Sequence, residues 1–246
     1  MKLILNPCTD PAFNLAAEEY LLSTTREPLC MLWRNGRAVI VGRNQDALAE
    51  IDSGYADEQG IPVYRRITGG GAVYHDLGNV NYTLIEPEGH FNDYAYFTAD
   101  LIAFLASLGV KAELSGRNDL LVGNLKICGN AQCAKNGMVL HHGCVLYDSD
   151  LSVLARVLRP GRAKLEGKGI ASVASRVTNI REYIGLDTAA FLHAFADYMK
   201  MKHSCAEYHF TGDDKASIRR LADEKYSARE WNFGCSPDWE GKLSPQ

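Results

Sequence analysis

The sequence predicts an α+β fold, with mixed, largely antiparallel sheets flanked by helices. Two observations carry that reading. Amphipathic helical segments are interleaved with short β-favouring runs joined by tight turns, and the stretch Lys111 to Tyr147 reads as an antiparallel meander. In addition, no linker, repeat or low-complexity segment interrupts the chain up to Ser236, so one domain covering residues 1–246 is expected.

Composition narrows the function classes. With 246 residues, 46% of them hydrophobic, the chain can bury a substantial core. A net charge of −4 without a long basic stretch argues against nucleic acid as a partner. The apolar start Met1–Leu5 reaches Pro7 too soon for a signal peptide, and no later run approaches the length of a membrane span; a cytoplasmic protein with no membrane partner is expected. Seven cysteines, an odd number with no Cys-x-x-Cys pair, indicate neither a disulfide framework nor a zinc site.

In chain order, Asp10-Pro11 opens a helix over Ala12 to Ser23 with Leu15, Glu18, Glu19 and Leu22 at helical spacing. Runs at Cys30–Trp33 and Ala38–Gly42 flank Arg34-Asn35-Gly36-Arg37, and the Asn-Gly step predicts that they pair as a hairpin. One helix is expected over Asp46 to Gln59, ended by Gly60, followed by a strand over 61–68 in which Tyr64, Arg66 and Thr68 share a face opposite Ile61. Asn79–Glu86 reads as a strand and Asp93–Leu108 as a helix burying Phe97, Leu101, Phe104, Leu105 and Leu108. The meander comprises Lys111–Leu114, Asp119–Val122, Leu125–Cys128 and Met138–Tyr147. A helix follows from the Ser149-Asp150 cap to Leu158, stopped by Pro160-Gly161, and Lys164–Val177 reads as a surface loop. Helices at Thr188–His203 and Asp213–Tyr226 enclose a strand over Cys205–Phe210.

Chemistry concentrates around Arg65-Arg66-Ile67-Thr68-Gly69-Gly70-Gly71. Three successive glycines between short strands exceed what a hairpin needs; they permit positive φ and let backbone N–H groups converge on a phosphate or carboxylate. Taken alone, the turn fits an anion site and a solvated glycine loop about equally. Lys126 stands in an apolar strand between Ser115–Asp119 and Gly129-Asn130-Ala131, small polar turns that can admit a ligand; an exposed lysine on the polar face is the simpler reading. Of the adjacent His141 and His142, facing opposite sides of a strand, one is expected in the core and the other in a pocket.

These blocks carry a family resemblance. Arg65-Arg66-x-Thr68-Gly69-Gly70-Gly71-Ala72-Val73-Tyr74-His75-Asp76-x-Gly78-Asn79, Gly116-Arg117-Asn118-Asp119, Lys126-Ile127-x-Gly129-Asn130-Ala131, His142-Gly143, and Gly169-Ile170-x-Ser172-Val173-x-Ser175-Arg176-Val177-x-Asn179 resemble lipoate–protein ligase, in the family order. Glu230-Trp231-Asn232-Phe233-Gly234 with Pro237 resembles the end of the same catalytic domain, so the motifs span residues 65–237. The resemblance implies the biotin/lipoate ligase catalytic fold. It also implies ATP-dependent activation of lipoate (or octanoate) to an acyl-adenylate, then transfer to a lysine of an apo lipoyl domain of a 2-oxoacid dehydrogenase E2 subunit or of glycine cleavage H protein. Carried over by position, Arg66, Gly71, Ala72, Val73, Tyr74, Asn118, Asp119 and Lys126 fall to ATP and the adenylate. Arg66, Thr68, Gly70, His75, Lys126, Gly129, Ala131 and His142 fall to lipoate. Lys126 is the expected catalytic residue, a charged electrophilic stabiliser. Asp119 is the candidate ligand for Mg²⁺, and the 168–179 loop is expected to cover the adenylate.

Two departures bear on that expectation. The commonest bacterial ligases of the family continue into a small C-terminal accessory domain, whereas this sequence ends at Gln246. A separate accessory polypeptide, activity without one, or transfer from a preformed adenylate alone are all compatible. Cys128 and Cys144 replace hydroxyl residues, and in a regular strand Cys128 shares the face of Lys126. A nucleophilic thiol there points to the alternative, an ATP-independent octanoyl or lipoyl transferase of the same fold. Against it, Arg159-Pro160-Gly161 stands where one transferase family has Pro-Cys-Gly; both cysteines are read as packing residues. A non-enzymatic lipoate-binding regulator is the third reading, which the intact Arg66, glycine turn and Lys126 oppose.

Overall fold

A computed structural model describes residues 1–116, 118–158, 176–237 and 239–242. Short strands from distant parts of the chain assemble two sheets. The larger has eight strands: β1 (Lys2–Leu5), β2 (Leu29–Trp33), β6 (Asn79–Pro87), β7 (Ala112–Ser115), β8 (Asp119–Val122), β9 (Leu125–Lys135), β10 (Met138–Leu146) and β11 (Ala206–Glu207). Their spatial order is β11-β1-β2-β6-β10-β9-β8-β7. Only β11/β1 and β1/β2 are parallel; the other ladders are antiparallel, as expected. The smaller sheet holds β3 (Ala38–Val41) between β4 (Val63–Arg65) and β5 (Val73–His75).

Helices cover both faces of the large sheet. One face meets α4 (Tyr94–Ser107) and α6 (Thr188–His203), burying Phe97, Leu101, Phe104 and Leu105 of the former and Phe191, Phe195 and Met199 of the latter. The other face meets α1 (Pro11–Thr24), whose Leu15, Leu21 and Leu22 pack with Met31, Trp33 and Ile40. Asp10 caps α1 by accepting the N–H of Ala12, and Pro11 occupies the first turn, where a missing N–H is harmless. The small sheet rests on α2 (Ala47–Glu50), α3 (Ser53–Glu58) and α5 (Leu151–Val157). Helix α7 (Gly212–Leu221) leads through a π-helical turn at Ala222–Tyr226 to α8 (Arg229–Phe233).

Several expectations are corrected. The Asn35-Gly36 hairpin does not form: β2 pairs with β1 and β6, whereas β3 pairs with β4 and β5. A two-residue type I′ turn needs positive φ at both positions, and neither residue has it. Asn35 is fully buried, its side chain bonded to Asn14 and His75, so the Asn-Gly step crosses between sheets instead of reversing within one. The helix over 46–59 breaks at Ile51-Asp52, because Ile51 bridges Leu158 and Asp52 caps α3. The strand over 61–68 is ordered into a ladder only at Val63–Arg65; the one over 205–210 is reduced to Ala206–Glu207; and the helix expected to Tyr226 changes at Ala222 to a π-helical turn. The Pro160-Gly161 stop and most of the 164–177 loop lie outside the described residues. Among the described residues no helix is long and apolar enough to cross a membrane.

Candidate active site

The glycine turn is held by its two arginines, both buried. Arg65 points away from the turn. Its guanidinium donates to the carbonyls of Gly42, Arg43 and Gln45 on one side and of Trp231 and Asn232 on the other. Asn232 Oδ1 in turn accepts the Arg65 N–H, and Trp231 Nε1 donates to the Arg65 carbonyl. The Glu230–Gly234 motif is thereby tied to the base of the turn. Arg66 Nη2 donates to the carbonyls of Gly69 and Gly71, Nη1 to Ile40, and Nε to Thr68 Oγ1 at 3.0 Å. Burial lowers the Arg66 pKa to about 10, leaving it protonated at neutral pH. The guanidinium therefore shapes the turn first, with little donor capacity left over for a ligand.

Two glycines are needed here for space. A Cβ on Gly42 would lie 1.9 Å from the Gly70 carbonyl oxygen, where β3 runs against the turn; Gly70 itself has φ +99°, disfavoured for any side chain. The turn meets a carboxylate within this chain, since the Ala72 N–H donates to Glu50 Oε2 at 3.2 Å.

Between the turn and the large sheet lies a cavity of about 330 Å³. It is within the range of small-ligand sites. A continuous row of paired residues crosses its floor: Trp33, Asn81, Cys144, Gly129 and Asp119, one from each of β2, β6, β10, β9 and β8. Lys126 Nζ lies over Gly129 and pairs with Asp119 Oδ1 at 2.8 Å, while its side chain stays one-third exposed. A Cβ at Gly129 would come within 2.8 Å of that ammonium, so a side chain there would displace the lysine from its present position. The Lys126 backbone carbonyl accepts the Thr178 N–H, and Val177 bridges Lys126, which places the described end of the 168–179 segment beside the lysine.

The inner wall is a hydrogen-bonded relay. Arg66 Nε donates to Thr68 Oγ1, which bonds His142 Nε2 at 2.8 Å; His142 Nδ1 bonds Glu18 Oε1 at 2.8 Å. Glu18 Oε1 also accepts from Thr83 Oγ1, to which Trp33 Nε1 donates. His141, on the opposite face, stacks on Phe97 with ring centroids 4.9 Å apart and bonds Tyr82 and Gln132. Its burial lowers its pKa to about 3, so it is a neutral core residue.

The structure gathers Arg66, Gly70, Gly71, Ala72, Val73, His75, Asn118, Asp119, Lys126, Gly129, Ala131 and His142 on one cavity. Tyr74 and Thr68 are buried behind it. Asn118 is committed to Asn130, donating to its carbonyl at 2.7 Å. Cys128 does not share the face of Lys126. The β8/β9 register shifts between Leu120 and Leu121, so Ile127 and Cys128 both enter the core, and burial pushes the Cys128 thiol well above its ordinary range. Cys144 does line the cavity, but burial pushes its thiol up to about 12. Sequence reasoning missed Trp33, Asn35, Asn81 and the part played by Glu18. Their signal is burial of polar atoms, which periodicity does not carry.

Among the described residues no group of three or more His, Cys, Asp or Glu is arranged to hold a metal. Asp119 supplies one carboxylate on the cavity wall. A single carboxylate beside phosphate oxygens suits Mg²⁺, which keeps much of its ligation from water and substrate.

A glycine turn held by a buried arginine, faced by a lysine across a partly apolar cavity, defines an α+β domain with a small-ligand site. The lipoyl protein ligase A/B catalytic domain matches residues 10–200, and the chain belongs to that family. It is 39% identical over 246 residues to lipoate–protein ligase 1 of Staphylococcus aureus (strain Mu50), covering 97% of this chain and 75% of that one. It resembles the structure of a bipartite lipoate protein ligase from Thermoplasma acidophilum, reported with its E2 lipoyl domain, at TM-score 0.84 and 28% identity over 100% of this chain and 98% of that one. Lipoate–protein ligase A bound with ATP superposes at TM-score 0.83 with 28% identity, covering 95% of this chain and 98% of that one.

Proposed function

We propose that this protein is a lipoate–protein ligase that activates lipoate, or octanoate, with ATP and passes the acyl group to a lysine of an apo lipoyl domain. The acceptors are E2 subunits of 2-oxoacid dehydrogenases or the glycine cleavage H protein. One observation carries the reading: one cavity is lined by Lys126, by the glycine turn and by the apolar Leu15, Trp33 and Ile40.

A carboxylate is a poor acyl donor because its leaving group is oxide. In the first step a lipoate carboxylate oxygen attacks the α-phosphorus of ATP; the P–O bond to the β-phosphate breaks and pyrophosphate leaves. Two anions must approach, so fixed cationic and N–H donors have to offset their repulsion. Lys126 has three N–H donors; with one on Asp119, two remain for the acyl oxygen and the α-phosphate. In the second step the neutral ε-amine of the acceptor lysine attacks the acyl carbon. The C–O bond to AMP breaks and the amine proton passes to solvent. The ammonium stabilises charge on the carbonyl and phosphate oxygens in both steps without giving up its own proton. Gly71, Ala72 and Val73 face the nucleotide, and His75, Ala131 and His142 surround the acyl chain, with Thr68 behind them holding His142. Asp119 would hold Mg²⁺, which would supply further charge neutralisation.

The protonated thiols of Cys128, in the core, and Cys144, on the cavity wall, favour this over transfer through a thioester. The likeness to a bipartite archaeal ligase supports a second reading, in which activation requires a separate accessory polypeptide. Purified protein with ATP, Mg²⁺, lipoate and an apo lipoyl domain is expected to release pyrophosphate and add a lipoyl mass to the acceptor. Turnover only on addition of a second polypeptide supports the split enzyme. Acyl transfer from octanoyl carrier protein without ATP overturns the ligase reading.

A further inference from the structure

Two buried polar side chains on the cavity wall carry side-chain atoms with no hydrogen-bond partner among the described residues. Asn81, 1% exposed, has neither its Oδ1 nor its Nδ2 in a hydrogen bond, and His75, 4% exposed, leaves Nε2 without a partner. A buried amide left unpaired costs about 1–3 kcal/mol, and native structures seldom keep one without a use. Both residues line the site described above. Asn81 stands in the floor row between Trp33 and Cys144, two strands from Gly129, over which the Lys126 ammonium lies. Two strand spacings are about 10 Å, roughly the reach of an extended eight-carbon acid held by its carboxylate.

The hydrogen on His75 is fixed by a relay of amides. Asn6 Nδ2 donates to Asn14 Oδ1, Asn14 Nδ2 donates to Asn35 Oδ1 at 2.8 Å, and the amide nitrogen left on Asn35 meets His75 Nδ1 at 3.0 Å. With Asn35 Oδ1 already accepting, Nδ2 is the donor and His75 Nδ1 the acceptor. The proton of the neutral imidazole is therefore on Nε2, the unpartnered nitrogen. This relay also explains why Asn35 is buried rather than placed in a hairpin turn.

Resting on the ligase reading, we propose that Asn81 and His75 are specificity residues, whose N–H groups bond the sulfur atoms of the dithiolane ring and so favour lipoate over acyl chains lacking sulfur. An octanoyl chain leaves both donors buried and unpaired; the ring offers two polarisable acceptors at the same depth. Sulfur is a weak acceptor, so the discrimination is modest. The ring's volume alone could also favour lipoate, and a carbocyclic analogue separates the two effects.

The test compares dissociation constants of lipoate, octanoate and 5-cyclopentylpentanoate, which keeps the ring and lacks sulfur, by calorimetry on the purified chain. Wild type is expected to bind lipoate about three- to tenfold more tightly than the cyclopentyl acid. Asn81→Leu is expected to bring that ratio to within about twofold while octanoate binding holds or improves. Asn81→Ala serves if the larger residue disturbs folding. An unchanged ratio in a folded variant, or equal wild-type affinity for the two ring acids, overturns the proposal. Lipoate-dependent pyrophosphate release, measured in parallel, tests the ligase reading itself: sulfur-dependent binding without release separates that failure from this one.

Discussion

Lys126 and His142 face the same cavity and are held in opposite ways. Lys126 is one-third exposed and makes a single ion pair, with Asp119. His142 is bonded on both ring nitrogens, and its partner Glu18 has a side chain only 1% exposed. The contrast matches two tasks. In the proposed reaction, an ammonium that follows charge from the first step to the second needs freedom to re-aim, whereas a wall that measures a chain needs fixed positions.

The largest effect expected from breaking this contrast is at the mobile end. Lys126→Ala should lower the rate of adenylate formation about 10²–10³-fold. Its melting temperature should stay close to wild type, because an ion pair more than one-third exposed on average adds little stability. A variant that forms adenylate normally removes Lys126 from the mechanism. Arg66→Lys comes next, acting at the junction of the two regions: it keeps the charge but not the fork that holds Gly69, Gly71, Ile40 and Thr68. A loss of about 2–3 kcal/mol in urea unfolding, with impaired activity, is expected. Glu18→Gln disturbs the fixed wall more gently. It should cost about 1–2 kcal/mol and shift the KM for the acyl acid more than that for ATP. Equal changes in both KM values would put Glu18 outside the acyl end.

Stability should also fall as acid is added. His75 and His141 have pKa values lowered to about 3 by burial, below the unfolded value near 6.5. Between those limits the unfolded state binds more protons, so each histidine adds a slope of up to about 1.4 kcal/mol per pH unit, with stability rising with pH. Replacing His141 by Gln should flatten the profile, read from unfolding midpoints between pH 4 and 7. The smallest effect is expected for Cys128→Ser, with activity within about twofold of wild type and a stability loss of about 1 kcal/mol for a hydroxyl in the core. Loss of acyl transfer in that variant would revive the thioester mechanism.

Much of the mobile end was legible in the sequence. The glycines, Lys126 and Asp119 are local signals of backbone freedom and charge, and the structure puts them on one cavity. The fixed wall was less so. Asn35-Gly36 carries a hairpin signal, yet burial gives the amide of Asn35 to a relay from Asn6 to His75. The face of Cys128 was misjudged because a register shift at Leu120/Leu121 breaks the alternation that strand reasoning assumes. Asn81 alternates with Asn79 and Thr83 along its strand, and only its burial without partners among the described residues sets it apart.

The bonds between Arg65 and Asn232 span 167 positions of sequence. During synthesis, the arginine leaves the ribosome long before the carbonyls that receive its guanidinium. Until the Trp231-Asn232 segment follows, the base of the glycine turn lacks half of its support. Ligand binding should therefore emerge only after the Trp231-Asn232 segment has left the ribosome, which couples competence to a contact between widely separated parts of the sequence.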